Sequence, residues 1–445
     1  MRFRRAAIAL ALLVGALVMA TIAIGASSTP SQKVVGSGKQ TKTNSVCGLG
    51  TGKKATGAVI KLGAIATKQP GTDFTDIPNM AKAYFDCVNN NGGINGRRIQ
   101  YIIETEQTNP GQNAALVRKL VASTKVVGMV GNTSIIECAI NHKYYESKGI
   151  YMIGSGIAPE CYATSNISPV NMGPRYSSDG AVQYVIRKGV NRVVFDQSNV
   201  PGTGYIKAGP IAVAKAAKVP IVTFEDTVPI QDANSVALKL VQAAGRNGGV
   251  VLNFTPDQAL LILQAAQQQG IADDVRAWGC STPCNSDFVA AALGSVWDGK
   301  FGVNAELNLT SAPGPDSKLY RELAKTAKLA FGLGSFSQMG FVEARIATAA
   351  LLNMSPPYTL RRVNQAFAGV TNFHTDILCS PWYFGKIPRH VPNNVDRTTT
   401  PKNGKMVIAE GCFKISAADP DIAKVRALEK RNPRLTKGKP YPLQG

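Results

Sequence analysis

Hydroxyl, amide and carboxylate side chains recur just after short apolar runs. They are Asp73 and Phe74 in the loop 67–76, Asn132, Thr133 and Ser134 after 126–130, and Ser155, Gly156 and Ile157 after 150–153. Further along come Tyr205 in the loop 199–205, Thr255, Pro256 and Asp257 after 250–254, and Ser281 and Thr282 after 275–278. Groups of this kind, beside the free N–H groups at helix starts, hold a small molecule by hydrogen bonds. Each also has a plainer reading. Asn132, Thr133 and Ser134 can cap a helix, Asp257 behind Pro256 can open one, and Phe74 and Tyr205 can be packing aromatics. Taken together at six strand ends, they point to a cleft.

Catalytic patterns are absent. The three histidines, His142, His374 and His390, fall in no motif, and no G-x-S-x-G, H-E-x-x-H or strand-borne G-x-G-x-x-G occurs. The stretch 48–53 (GLGTGK) resembles a phosphate loop only faintly. Its glycine spacing is wrong, no Ser or Thr follows Lys53, and it precedes the first strand. A secreted α/β hydrolase remains the enzyme alternative; the main reading is not an enzyme and expects no cofactor and no metal.

The eight cysteines form an even set behind an apolar N-terminal run, which reads as disulfides. Eight cysteines allow 105 pairings. Proximity favours Cys138 with Cys161 and Cys280 with Cys284; Cys47 with Cys87 and Cys379 with Cys412 follow by elimination. A zinc site at Cys280-x3-Cys284 is disfavoured, because no second cysteine pair or histidine lies nearby.

The elements that must place these groups alternate. Strand-like runs at 59–65, 99–104, 126–130 and 150–153 are separated by helical patterns, and the rhythm restarts after Pro174 with runs near 192, 219, 250, 275 and 300. Alternation of this kind predicts parallel sheets in two α/β lobes. Between the first helix and the 99–104 run lies NNNGGINGRRI (89–99), rich in residues that accept a left-handed backbone.

At the N-terminus, basic residues precede the apolar run 6–26, an export signal (1–28) or an uncleaved anchor. Residues 29–57 read as a flexible Ser/Gly/Thr/Lys linker and 417–445 as a disordered basic tail around a short helix. These ends carry much of the net charge of +21, and no aromatic-interleaved basic patch occurs, which argues against nucleic-acid binding.

With its KLGAI opening strand (61–65), NNNGGINGRRI, the segment 104–110, VVGMVGNTS (126–134), GIYMIGSG (149–156) and GVNRVVF (189–195), the chain resembles the type I periplasmic binding proteins, the branched-chain-amino-acid-binding-like proteins of ABC transporters. The resemblance implies two Rossmann-like lobes with parallel sheets, a hinge crossed three times near 174, 300 and 380, and a ligand cleft between the lobes. It places lobe one at 58–174 and 301–380 and lobe two at 175–300 and 381–416. It further implies a small polar ligand, amino-acid-like, amide or carboxylate, a membrane ABC permease as partner, a monomer, and an extracytoplasmic location. A ligand-sensing module signalling to a membrane partner is the closest rival. By position, Asn132, Thr133, Ser134 and Gly156 would meet a ligand carboxylate. Where the family's amino-acid binders place an acid for the ammonium, this chain has Ser281, leaving Asp257 or Asp73 as substitutes.

Overall fold

The structure, a computed structural model, describes residues 46–385, 387 and 389–443. The export segment 1–28 and residues 29–45 of the expected linker lie outside it.

The first sheet contains β1 (Gly57–Gln69), β2 (Thr72–Asp73), β3 (Arg97–Glu106), β4 (Gly128–Val130), β5 (Met152–Gly154) and β6 (Ile167–Pro169). Strands β3, β1, β4, β5 and β6 run parallel in that order, and β2 folds back on the end of β1. The second sheet contains β7 (Val193–Ser198), β8 (Ile221–Asp226), β9 (Gly249–Asn253), β10 (Ala277–Cys280), β11 (Phe301–Ala305), β12 (Val395–Lys402) and β13 (Lys405–Lys414). Its order is β13-β12-β11-β10-β9-β7-β8, with β12 antiparallel to β11 and β13 antiparallel to β12. This is a two-lobe α/β fold of mostly parallel sheets.

Helices α1 (Asp76–Asn90), α2 (Pro110–Arg118), α3 (Glu137–Lys148) and α4 (Glu160–Ala163) accompany the first sheet. The second has α5 (Pro174–Arg187), α6 (Ala208–Ala216), α7 (Ala233–Ala244), α8 (Pro256–Gln268) and α9 (Asp287–Leu293). The chain then returns to the first lobe with α10 (Pro315–Ala324), α11 (Ser335–Leu352) and α12 (Leu360–Ala368), and α13 (Pro420–Arg431) follows the last strand. Helix α1 forms because Ile77, Met80, Ala81, Tyr84, Phe85 and Val88 repeat at helical spacing, and all six are buried. Every residue of α11 is buried, since it packs against α1 on one side and the strands on the other.

The 89–99 turn works through its backbone. Gly93 has φ of 59°, and a Cβ there would lie 2.1 Å from the Arg97 carbonyl oxygen, so only glycine fits. The Asn89 side chain accepts from the Ile99 N–H at 2.7 Å and donates to its carbonyl at 2.9 Å, extending the strand edge with an amide.

Four expectations need correction. Residues 46–57 are not a free linker. Cys47 is buried and bonded to Cys87, and the Ala55 N–H donates to the Asn89 carbonyl at 2.8 Å, which pins this segment to the end of α1. The second crossing lies past 305 rather than near 300, because Trp278, Gly279 and Cys280 of β10 pair with Phe301, Gly302 and Val303 of β11. The third lies past 385. Trp382 bridges Phe373, and Phe384 packs with the core of the first lobe. The tail, finally, is ordered. Ile422 and Val425 of α13 are fully buried, Arg175 grips Asp419 through two bonds of 2.8 and 2.9 Å, and the Asn372 N–H donates to the Leu435 carbonyl at 2.7 Å.

Four disulfides are formed: Cys47–Cys87, Cys138–Cys161, Cys280–Cys284 and Cys379–Cys412. The last joins a loop of the first lobe to β13 of the second. Among the described residues no helix is long and apolar enough to cross a membrane.

Candidate functional site

The carboxyl ends of the strands in both sheets face one another across a cavity of about 90 Å³. Its walls are apolar. Phe74, Ile77, Ile135, Phe336 and Met339 come from the first lobe, and Val200, Ile206, Phe254 and Pro283 from the second. Phe74 and Phe336 meet edge to face at 5.4 Å, which fixes both rings. Helical spacing puts Phe336 and Met339 one turn apart on the face of α11 that looks into the cleft.

The polar side chains between these walls are mostly engaged with one another or with the backbone. The Ser155 hydroxyl contacts Glu343 at 2.5 Å, and the Thr203 hydroxyl donates to the Val200 carbonyl at 2.7 Å. The hydroxyls of Ser177 and Thr282 lie 2.7 Å apart. Thr133 differs: its Oγ1 is buried without a hydrogen-bond partner, and it faces the cavity. Among the lining residues the one ionisable side chain is Glu306, just past β11. Burial holds its carboxyl well above the usual range, with the Met172 N–H pulling the other way. Burial likewise raises Glu343, behind Ser155. Burial thus favours the neutral form of both acids.

The lobes are in contact at the mouth. The Tyr205 hydroxyl donates to the Ile157 carbonyl, and the Thr255 hydroxyl to the Gly71 carbonyl at 3.3 Å. Ile135 and Ile136 of the first lobe pack on Val200 of the second. The conformation is closed.

Of the residues singled out in the sequence, Phe74, Thr133, Ser155, Ile157, Thr255 and Thr282 line the cavity. Asp73, Asn132, Ser134, Gly156, Tyr205, Asp257 and Ser281 are engaged elsewhere. Asp73 closes a turn, accepting from the Thr75 N–H at 2.8 Å and hydroxyl at 2.6 Å, with Lys68 at 3.5 Å. The Asn132 amide donates to Glu137 at 2.6 Å, and the Ser134 hydroxyl to Glu106 at 2.9 Å. The Gly156 N–H is taken by Asn171 at 2.7 Å, and its own Cβ position is filled by Cys161. Tyr205 is an interlobe latch rather than a wall. Asp257 sits in the first turn of α8, accepting from Gln258 at 2.7 Å. The fully buried Ser281 hydroxyl donates to Asn253 at 2.8 Å. Sequence reasoning passed over Phe336, Met339, Phe254 and Glu306. Only Glu306 carried a signal, as a lone acid between apolar Ala305 and Leu307.

Comparison with known proteins agrees with this architecture. A family profile described as periplasmic binding protein matches residues 59–402. No curated protein sequence matches. Among solved structures, a fatty acid ABC transporter substrate-binding protein from Thermomonospora curvata is 18% identical, with 83% of this chain and 96% of that one covered and a TM-score of 0.69. A branched-chain amino acid ABC transporter protein from Thermus thermophilus, with bound valine, is 16% identical, with coverage of 82% and 99% and a TM-score of 0.72. A solute-binding protein of an R. palustris ABC transporter, in complex with 4-hydroxybenzoate, is 15% identical, with coverage of 83% and 100% and a TM-score of 0.67. At such identities the likeness is one of fold; the profile match carries the assignment, and by it this chain belongs to the type I periplasmic binding protein family.

Proposed function

We propose that the protein is the extracytoplasmic substrate-binding component of an ABC importer, and that its ligand is a small, largely apolar carboxylate or uncharged molecule. The carrying observation is the cavity itself: closed between two lobes, walled by Phe74, Ile77, Phe254, Phe336 and Met339, and lined by one acid and no lysine, arginine or histidine. Matched proteins take a fatty acid, valine and 4-hydroxybenzoate, so the fold accommodates apolar ligands with one polar end. The lining favours the acid-headed members of that range over a strongly polar solute. Hydroxyls such as Thr133 Oγ1 can receive a carboxylate without a counter-cation, as backbone and hydroxyl donors do elsewhere. Its work is closure: ligand shifts the population toward the closed form, which the permease then reads.

Calorimetry against benzoate, short fatty acids, simple amides and amino acids identifies the ligand class. Small-angle scattering with the tightest member then shows compaction. A radius of gyration unchanged at saturation rules out hinge closure.

Closure has a specific point of contact. Gly71 has φ of 73°, and a Cβ there would lie 2.8 Å from the Pro229 nitrogen and 2.9 Å from its Cα, in the other lobe. Gly71→Ala strains its own backbone and overpacks the closed mouth, at a cost of about 1–3 kcal/mol. Ligand affinity is expected to fall about tenfold or more. Unchanged affinity would show that the lobes do not approach this closely when loaded.

A further inference from the structure

Glu306 is the first residue past β11, where the chain leaves the second sheet. Its side chain lines the cavity and the residue is 1% exposed. One carboxyl oxygen accepts the Met172 N–H from the first crossing, and its backbone carbonyl accepts the Asn393 amide at 3.3 Å from the third. The group is thus held by all three crossings and cannot swing away from the cleft. Thr282, paired with Ser177, is its hydroxyl neighbour.

We infer that Glu306 reads the polar head of the ligand by donating a hydrogen bond from its carboxyl group to an acceptor oxygen there. This rests on the interlobe cavity being the ligand site. The titratable groups facing Glu306 are Asp396 of β12, which opposes its ionisation, and the buried Tyr162 of α4, whose phenol Glu306 holds further toward the neutral form. The buried Arg397 guanidinium of β12 is engaged electrostatically by Asp396 and Asp376. An ionised carboxylate in a dry site without its own cation is costly, so the acid keeps its proton and remains a donor. With Met172 N–H and Thr282 on its carboxyl, its acid proton is available to a ligand in the cavity, alongside the unpartnered hydroxyl of Thr133. A ligand carboxylate or carbonyl satisfies it. An ammonium does not, because it has no lone pair to accept with. The choice between acid and amine ligands therefore sits at the hinge, and not at the strand end occupied by Ser281.

The proton makes the proposal testable. Affinity for an acceptor ligand should fall as pH rises through the raised pKa of Glu306, because the donor is lost and a like charge replaces it. Calorimetry on the full protein, with benzoate and hexanoate as probes between pH 5 and 8.5, measures this in two buffers of different ionisation enthalpy. Glu306→Gln keeps a neutral donor: binding should stay within about threefold at low pH and lose its pH dependence. Glu306→Leu removes the donor and should weaken binding roughly tenfold to a hundredfold, the range for hydrogen bonds to charged groups. Thermal melts establish that each variant folds; if the Leu variant does not, the pH profile of the Gln variant decides. A pH dependence that survives in Glu306→Gln, or carboxylate binding untouched in Glu306→Leu, overturns the inference while leaving the functional reading intact. If neither probe nor any other carboxylate or neutral compound binds the parent protein, the functional reading fails and the inference with it.

Discussion

Valine and leucine are expected to bind roughly a thousandfold more weakly than 3-methylbutanoate and 4-methylpentanoate, their analogues without the amine. An ammonium in a dry cleft needs an ionised partner, and leaving a buried charge unpaired costs about 3–5 kcal/mol, or about three decades in affinity. The candidates for that partner are all removed by the structure. Ser281 carries no charge and is bonded to Asn253. Asp257 and Asp73 lie outside the cavity lining, committed to α8 and to the turn before α1. Glu306 does line the cavity, but ionising it opposes its burial. Calorimetry on the two pairs of compounds gives the ratio directly. Sub-micromolar leucine binding that survives both Asp257→Ala and Asp73→Ala would show that the ammonium is neutralised by a group not identified above.

The largest stability loss is expected from Arg345→Met. The Arg345 guanidinium meets Asp316 at 2.7 Å, with side chains only 10% and 1% exposed, where α10, α11 and α1 converge. It also reaches the Tyr84 hydroxyl at 3.2 Å and the Val46 carbonyl at 3.4 Å. Removing it takes the guanidinium away from a buried carboxylate, which costs about 3–5 kcal/mol. The melting temperature of the first lobe should drop by about 10 °C. The double variant Arg345→Met/Asp316→Leu should recover much of that, since two apolar groups leave no buried charge. A single variant within 1 kcal/mol of the parent, measured by denaturant unfolding, would mean that Asp316 finds compensation elsewhere.

The lobes were legible because their signals are local. Runs such as 126–130 and 150–153 followed by helical spacing need no distant partner to be recognised, and the 89–99 turn announces itself through its own backbone demands. The site was legible only in part. Thr133 and its neighbours Asn132 and Ser134 leave the same strand, yet successive side chains there point in different directions, and Glu137 and Glu106 claim the flanking two. Glu106, which claims Ser134, lies 28 residues away along the chain, so the local sequence does not decide which of the three faces the cleft. Phe336 and Met339 were invisible for a different reason. They enter only because the chain returns to the first lobe after building most of the second, and a helix buried all round shows no face in its sequence. The tail misled through composition. Its lysines and arginines are real, but Ile422 and Val425, three apart, were enough to seat α13.

The Cys379–Cys412 bond couples the two halves of the molecule covalently beside the crossing strands. A fastening at that place turns any opening into rotation about a fixed pivot rather than separation. Atoms near the pivot, Glu306 among them, travel little, while Gly71 and Pro229 or Tyr205 and Ile157 at the mouth sit at the end of a long lever arm. The same small angular change therefore leaves the chemistry at the base of the cleft assembled in both states and concentrates the mechanical difference at the rim.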